Sequence, residues 1–236
     1  MKRILVTGGE GRFAKVLKNK KSKFKFIFRN KKQLNILSET SIKNNIKKFK
    51  PHYLMHLAGL SRPMKIHDKN IKKSIKLNII GTANIVRACI EKNLKLIYFS
   101  TSYVYPGLKG NYRETDPLLP LNNYAWSKLG GEASVQMYKN SLIIRACMTE
   151  KPFIHKKAFS DVKLNFIFHE NVVPILIKLL NKKGVVNLGG PTQTVYNFAK
   201  KYNKFVKKIS FKKLKKINFP KNASMNLNKL HRLIKR

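Results

Sequence analysis

The chain has 236 residues, of which 43% are hydrophobic, so it is long enough to bury the core of one large domain. Its 51 Lys and Arg residues against 10 Asp and Glu give a formal net charge of +41, which favours phosphorylated ligands, nucleic acids and anionic membranes as partners. No apolar run approaches the roughly 20 residues of a membrane span. Glycines follow the first apolar residues too early for a signal peptide, so we expect neither feature.

The positive charge has two interpretations. Lys far outnumbers Arg, and Asn and Ile are abundant, as an AT-rich genome would produce. Phosphate and base recognition usually depends on Arg. We therefore favour compositional drift over a selected nucleic-acid surface, and we expect nonspecific nucleic-acid binding at low salt in either case.

The two cysteines, Cys89 and Cys147, lie in apolar contexts and lack the spacing of metal ligands. This usage predicts two small core residues, no metal site and a reducing, cytoplasmic location.

Short apolar strands alternate with helical stretches along the chain. Strands are predicted over 3–7, 24–28, 52–58, 94–100 and 141–146, with a strand and turn over 184–190. Helices are predicted over 12–19, from a Ser38 cap to about Lys48, and over 68–92, 124–139, 171–180 and 195–209. The basic segment 207–221 is interpreted as a solvated edge strand and loop, with nucleic-acid contact as the alternative. The alternation predicts an α/β fold with a Rossmann-type, doubly wound parallel sheet.

A glycine-rich turn, "VTGGEGRFA", follows the first strand. Gly8 permits a tight turn, Gly11 lets a pyrophosphate approach the backbone, and the small Ala14 lets helix and strand pack closely. We interpret the segment as a dinucleotide-binding turn in which Gly8, Gly11, Arg12 and Phe13 contact the cofactor. A simple turn is the alternative, because a glycine-rich turn alone is a weak signal.

The end of the second strand bears on the choice of dinucleotide. An NAD site usually has an acid there to hold the ribose hydroxyls, but this chain has "FRNKKQ". Arg29 or Arg12 can meet a 2′-phosphate instead, which favours NADP(H). NAD(H) stays open, since a lysine-rich chain also places bases there by chance.

Tyr124 and Lys128 in "NNYAWSKLGGE" form an i,i+4 pair on one helix face. A Tyr that donates a proton near neutral pH needs its pKa lowered from about 10. A nearby Lys ammonium and an oxidised nicotinamide ring both lower it. The hydroxyl-rich "STSYVY" at the end of the fourth strand can supply a further group that bonds the substrate oxygen.

With these motifs the chain resembles the extended short-chain dehydrogenase/reductase family, also called the NAD-dependent epimerase/dehydratase family. The segments that carry the resemblance are 7–14, 56–59, 77–89, 166–173, 185–190 and 219–230. The resemblance implies cofactor contacts from Leu57, Ala58 and Gly59, a structural and cofactor-site role for Asn78, and cofactor binding by Lys128 as well as catalysis. It also implies a homodimer, and the likeness of 219–230 to the family's closing segment implies that the chain is complete at its C-terminus.

Within that family the chain is most similar to the sugar-nucleotide reductases related to dTDP-4-dehydrorhamnose reductase. This alignment makes Thr101 the catalytic hydroxyl beside Tyr124 and Lys128. Related 4,6-dehydratases carry Asp and Glu where Ser102 and Tyr103 stand, and relatives that also epimerise C3 and C5 carry Cys at the second position. The resemblance therefore implies reduction of a nucleotide-linked 4-keto-6-deoxy sugar, with 4-epimerisation as the alternative. A non-catalytic regulator or RNA-binding protein is a further alternative.

We expect two parts: an NAD(P)-binding domain over 1–145 with the catalytic residues, and a small substrate-binding region over 146–236 interleaved with the last sheet elements. The segment between Arg145 and Phe166 is shorter than is usual in the family. We expect His52, His56 and Trp126 to be packed rather than catalytic, and Arg145 to fix the substrate loop.

Overall fold

The computed structural model describes residues 1–213 and 219–235. The strands are β1 Arg3–Thr7, β2 Lys25–Arg29, β3 Tyr53–His56, β4 Lys95–Thr101, β5 Ser141–Ala146, β6 Met148–Thr149, β7 Lys157–Phe159, β8 Lys163–Leu164, β9 Ile167–Phe168, β10 Gly184–Leu188, β11 Gln193–Thr194 and β12 Lys207–Ile209. The helices are α1 Arg12–Lys18, α2 Glu39–Phe49, α3 Ile66–Lys69, α4 Ile71–Ile75, α5 Gly81–Glu91, α6 Asn123–Gln136, α7 His169–Leu179, α8 Val195–Lys200 and α9 Asn228–Lys235. A π turn spans Lys76–Ile80, and 3₁₀ turns span Ser102–Val104 and Phe211–Lys213.

A parallel sheet of six strands, in the order β10-β5-β4-β3-β1-β2, forms the centre of the fold. Every residue of β3 and β4 is buried, as expected for strands covered on both faces. In the parallel register, Thr7 at the end of β1 lies opposite Arg29 of β2 and His56 of β3. The predicted Rossmann-type, doubly wound α/β class is confirmed, and each of the six strands lies where the sequence pattern predicts it.

Two compact units divide the chain. The first comprises Met1–Ser100, Asn123–Ile144 and Leu180–Val185, and its core includes Leu5, Leu54, Leu96, Ile42 and Ile85. The second comprises Thr101–Asn122, Arg145–Leu179 and Val186–Arg236, and it contains the three two-stranded sheets β11-β8, β12-β7 and β6-β9. The predicted assignment of functions to 1–145 and 146–236 stays a prediction.

The helix predicted over 68–92 is wrong as a single element. Asn70 ends α3 because its backbone leaves the helical region (φ −140°), and its side chain then accepts a hydrogen bond from Lys73 N to begin α4. The π turn Lys76–Ile80 then separates α4 from α5. The apolar period runs through all these pieces, so the sequence pattern does not show the interruptions.

The helix predicted over 195–209 is also wrong beyond residue 200. Asn203 ends the helical segment by donating its N–H to Ala199 O, and its side chain accepts from Phe205 N. Lys207–Ile209 then pairs with β7 as β12, because Lys207 N finds the carbonyl of Lys156 at 2.9 Å. The predicted edge strand and loop over 207–221 is therefore a strand at its start, and residues 214–218 lie outside the described part.

Both cysteines are free and buried, as predicted for core residues. Burial raises the pKa of the Cys147 thiol to about 11 and raises that of Cys89 as well, so both are protonated and inert at neutral pH. Among the described residues, no helix has the length and apolar character that crossing a membrane requires.

Candidate active site

The glycine turn follows β1, and it contacts the end of β2 and the loop that follows β3. Gly8 has a φ of +68°, and a Cβ on it would lie 2.7 Å from Ala58 N, so any side chain would collide with the loop after β3. Gly11 N donates to Gly8 O at 2.9 Å and closes the turn. Thr7 Oγ1, at the end of β1, accepts from Ala58 N at 3.1 Å. The predicted cofactor residues Gly8, Gly11 and Ala58 thus lie together, and Gly11 is exposed to solvent.

Leu57 and Gly59 flank Ala58 in this loop. Arg12 and Phe13, the two predicted cofactor contacts in α1, lie in different environments. Phe13 is buried, with its ring centroid 5.1 Å from that of Phe99, so it packs α1 onto the sheet. Arg12 is exposed, and its guanidinium donates to Ser61 Oγ at 3.4 Å. Arg12 therefore reaches toward the loop that follows β3.

The end of β2 carries a group that the sequence pattern does not show. Glu10, inside the glycine turn, accepts a hydrogen bond from Asn30 Nδ2 at 2.8 Å, so an acid does stand at this strand end. Arg29 places its guanidinium 5.1 Å from the centroid of the Phe49 ring. Its predicted contact with a 2′-phosphate stays a prediction.

A pocket of about 300 Å³ lies between the segment that follows β2 and the helical region around α4. Its lining combines an apolar floor with several ammonium groups and consists of Lys31, Leu37, Asn70, Lys72, Lys73, Lys76 and Leu77. Its composition suits a ligand that joins an apolar surface to negative charge.

Asn78 lies in the π turn, and its side chain is buried. Its Oδ1 accepts from Leu60 N at 2.7 Å, and its Nδ2 donates to Leu60 O and to Ser127 Oγ. Ser127 lies in α6 between Tyr124 and Lys128, and its hydroxyl also donates to Tyr124 O at 2.8 Å. The predicted structural role of Asn78 therefore has a physical basis, since this amide joins the loop after β3 to α6.

Lys128 and Tyr124 lie one turn apart on α6. The Lys128 ammonium lies 4.2 Å from the centroid of the Tyr98 ring, and Tyr98 donates its hydroxyl proton to Lys128 O at 3.1 Å. Burial lowers the pKa of Lys128 to about 7, and the carboxyl group of Glu132, one turn further along α6, opposes this shift. Lys128 is therefore held near the point of losing its proton at neutral pH.

Tyr124 packs against His67. The two ring centroids lie 5.1 Å apart in an edge-to-face arrangement, and His67 Nδ1 lies 2.7 Å from Ser74 Oγ. Burial lowers the pKa of His67, so the ring is neutral at neutral pH. Asn123, the residue before Tyr124, donates to Asp68 at 2.9 Å. The segment around α3 therefore fixes the start of α6.

His56 lies in a buried chain of hydrogen bonds. Its Nδ1 lies 2.8 Å from Thr7 Oγ1, and its Nε2 lies 3.1 Å from Thr82 Oγ1. Thr82 donates its hydroxyl proton to Asn78 O, which assigns the donor role to His56 Nε2–H. Burial, helped by the charge of Lys128, lowers the pKa of His56 to about 3. His56 is thus a neutral packed residue, as predicted.

Thr101 ends β4 and is buried within the second unit. Its Oγ1 accepts from Tyr103 N at 3.3 Å and begins the 3₁₀ turn Ser102–Val104. Its predicted role as the catalytic hydroxyl stays a prediction.

Arg145, also in the second unit, fixes the loop that follows this turn. It donates to Tyr105 Oη at 2.9 Å and to Glu114 O at 3.0 Å, and Tyr105 donates to Asn187 Oδ1 at 2.8 Å. Arg145 therefore fixes this loop, while a role of the loop in substrate binding stays a prediction.

Sequence reasoning missed five residues of this site. They are Glu10, His67, Tyr98, Ser127 and Glu132. Glu132 had a readable signal, because it follows Lys128 at i+4 on the same helix face. The other four depend on contacts between distant segments. Trp126, predicted to pack, is instead 49% exposed, and His52, also predicted to pack, is exposed as well.

Residues 1–150 match the family model described as the RmlD substrate binding domain. The chain belongs to this family. Membership confirms the resemblance to the extended short-chain dehydrogenase/reductases that the motifs indicate. The RmlD family match covers the glycine turn, Asn78, Thr101 and the Tyr124–Lys128 pair.

Two curated relatives differ in how much of the chain they match. Methionine adenosyltransferase 2 subunit beta from Xenopus laevis is 36% identical over 102 residues, which is 43% of this chain and 30% of that protein. The dTDP-4-dehydrorhamnose reductase of Aggregatibacter actinomycetemcomitans is 27% identical over 199 residues, which is 81% of this chain. The chain spans 63% of the length of that reductase.

A solved structure of a dTDP-4-dehydrorhamnose reductase shows the same fold. It is the enzyme from Bacillus anthracis in complex with NADP, with a TM-score of 0.89 and 22% identity. The superposition covers 98% of this chain and 92% of the other.

Proposed function

We propose that this protein is an NAD(P)H-dependent reductase of a nucleotide-activated 4-keto-6-deoxy sugar, similar to dTDP-4-dehydrorhamnose reductase. The observation that carries the proposal is the geometry of the first unit. Asn78 ties the loop beside the glycine turn to α6, so the cofactor residues and the Tyr124–Lys128 pair are held by one set of hydrogen bonds. Membership of the RmlD family and the reductase relative support the same reaction.

The residues of the turn fit a dinucleotide. Gly8 brings the turn into contact with Ala58, while Gly11 and Arg12 stay exposed, so the pyrophosphate would lie against Gly11. Leu57, Ala58 and Gly59 would line the ligand from the β3 side. When bound, the nicotinamide supplies the hydride for C4 of the sugar. NADP(H) is the favoured form, because the exposed Arg12 in the glycine turn and Lys31 just after β2 are cations that suit a 2′-phosphate.

Tyr124 donates the proton that the substrate oxygen needs. The positive charge of Lys128 stabilises the resulting tyrosinate, and Glu132 helps Lys128 to keep that charge. His67 limits the orientations of the Tyr124 ring from its edge. Thr101 is the proposed third group, on the basis of its place at the carboxyl end of β4 and of the family alignment.

The direct test is consumption of NADPH with dTDP-, GDP- and UDP-linked 4-keto-6-deoxy sugars. The wild type should oxidise NADPH with at least one of them, and Tyr124→Phe should lose at least about 100-fold in kcat while it still binds NADPH. Tyr202→Phe removes a hydroxyl from a half-exposed tyrosine and should behave as the wild type. No NADPH consumption with any sugar would contradict the proposal. Interconversion of C4 epimers without net consumption would instead identify a 4-epimerase.

A second candidate is a dinucleotide-binding subunit without catalysis. The specific observation is the higher identity, 36%, to a methionine adenosyltransferase subunit. Such a subunit should co-elute with a methionine adenosyltransferase chain in size-exclusion chromatography. Tyr124→Phe should leave that elution unchanged.

We also propose that two copies of the chain associate through α4 and α6. These helices carry exposed apolar side chains: Ile71 is 51% exposed, Ile75 42%, and Trp126 49%. Covering them would remove apolar surface from water. Sedimentation equilibrium should show a dimer for the wild type and a monomer for Trp126→Glu, and a monomeric wild type would contradict the proposal.

The cytoplasm is the proposed location, since the two buried thiols are unpaired. The charge of +41 is proposed to cause only nonspecific binding of nucleic acid. Affinity for random-sequence DNA should then fall steeply between about 50 and 200 mM salt, whereas a sequence-selective complex at the higher salt would contradict this.

A further inference from the structure

Glu10 stands at the end of β2 although it belongs to the glycine turn. Its carboxylate accepts from Asn30 Nδ2 at 2.8 Å, and Asn30 is the first residue after the strand. Asn30 is itself fixed, because its Oδ1 accepts from Gln33 N at 3.0 Å and its carbonyl accepts from Leu34 N at 2.9 Å. Gly9 N donates to Arg29 O at 2.9 Å and holds the turn against the strand. The carboxylate of Glu10 is thus held by a hydrogen bond from Asn30, and the backbone of the turn that carries it is held by the bond from Gly9.

The end of the second strand is where a Rossmann-type sheet receives the ribose of the adenosine half of a dinucleotide. A carboxylate there accepts hydrogen bonds from the two ribose hydroxyls. The same carboxylate repels a 2′-phosphate, which carries about two negative charges at neutral pH. Lys31, which directly follows Asn30 in the chain, brings a positive charge to the same strand end and attracts that phosphate. The repulsion by Glu10 and the attraction by Lys31 therefore have opposite effects on the affinity for a 2′-phosphate.

We propose that Glu10 is a specificity-determining residue that lowers the affinity for NADP(H) and keeps NAD(H) an effective ligand. The proposal rests on the dinucleotide binding proposed above. The choice between the two cofactors is then set by the glycine turn as well as by the residues that follow β2. The segment "FRNKKQ" contains no acid, which suggests that the site lacks one for the ribose hydroxyls. The acid is instead supplied by a different segment, the glycine turn.

Dissociation constants of NADPH and NADH, measured by cofactor fluorescence without sugar substrate, test this. Glu10→Gln should bind NADPH about tenfold more tightly than the wild type, and NADH a few-fold more weakly. Asn30→Ala, which releases the carboxylate, should shift the ratio in the same direction by less. Glu39→Gln removes the same charge from an exposed ion pair with Arg87 and should leave the ratio unchanged.

The possible failures are distinguishable. If the wild type binds both dinucleotides and Glu10→Gln keeps the wild-type ratio within about twofold, the role of Glu10 is overturned while the proposed function stands. An equal shift in Glu39→Gln would also overturn it, because net charge alone would then explain the change. If the wild type binds neither dinucleotide, both proposals fail. Matching thermal unfolding curves establish that each variant is folded, and Glu10 is exposed, so its substitution leaves the core intact.

Discussion

Asn78 donates a hydrogen bond to Ser127 Oγ at 2.8 Å and so joins the π turn to the helix that carries Tyr124 and Lys128. The same side chain bonds both the N–H and the carbonyl of Leu60. A π turn inside a helical region frequently marks a functional site, and here it widens the helix at the residue that makes these bonds. This amide therefore links α6 directly to the loop after β3, in addition to the contacts that α3 makes with the start of α6.

Asn78→Ala should destabilise the fold by about 2 kcal/mol, because it leaves the N–H and carbonyl of Leu60 without their partners. It should also weaken NADPH binding. Urea unfolding and cofactor titration measure the two effects. Asn84→Ala, which removes a single bond to Ile36 O, serves as the control and should cost about 1 kcal/mol or less. Equal unfolding midpoints for the two variants would contradict the bridging role of Asn78.

Gly8→Ala should abolish dinucleotide binding, because the new Cβ meets Ala58 N while the backbone stays at a φ of +68°. Gly184→Ala separates the steric collision of the new Cβ from the cost of a positive φ. Gly184 has a φ of +81°, but a Cβ there has no atom within 4 Å. It should cost about 1 kcal/mol through backbone conformation alone and leave binding unchanged. The steric account fails if Gly8→Ala binds NADPH as well as Gly184→Ala does.

Glu132→Gln should move the basic limb of the pH–rate profile to lower pH by about one unit. The pKa of Lys128 is already lowered to about 7 by burial, and Glu132 opposes that shift, so removing the acid lowers the pKa further. Lys128 then loses its charge at a lower pH. The profile of kcat from pH 5 to 9 measures the effect. Glu91→Gln, in an exposed ion pair with Lys43, should leave the limb in place. Superimposable limbs for Glu132→Gln and the wild type would exclude this role for Glu132.

The stability of the protein should fall as the pH drops from about 6.5 toward 3. Burial lowers the pKa of His56 to about 3, so in this range the unfolded chain binds a proton that the folded chain does not. Between pH 7 and 4.5 the wild type should lose about 2 kcal/mol more than His56→Asn does. Urea unfolding across that range measures the difference, with the exposed His52→Asn as control. Parallel losses in the wild type and His56→Asn would rule out the linkage.

Local patterns in the sequence determined the six strands, the glycine turn and the Tyr124–Lys128 pair. Each is encoded within a few residues: apolar runs mark buried parallel strands, Gly8 provides the positive φ, and an i,i+4 spacing places two side chains on one helix face. The capping of α2 by Ser38 is local in the same way, and the structure shows its bond to Ser41 N at 3.1 Å.

Only the tertiary structure decided the features that join distant segments. Glu10 meets Asn30 because the parallel register brings the ends of β1 and β2 together. Lys128 meets Tyr98 because α6 packs against β4. The sequence pattern of 195–209 is helical, but the helical segment ends at Asn203. Pairing of β12 with β7 forms the backbone hydrogen bonds that a longer helix would have formed internally. Such contacts leave no periodic trace in the sequence, because hydrogen bonding and burial across the fold select them rather than local propensity.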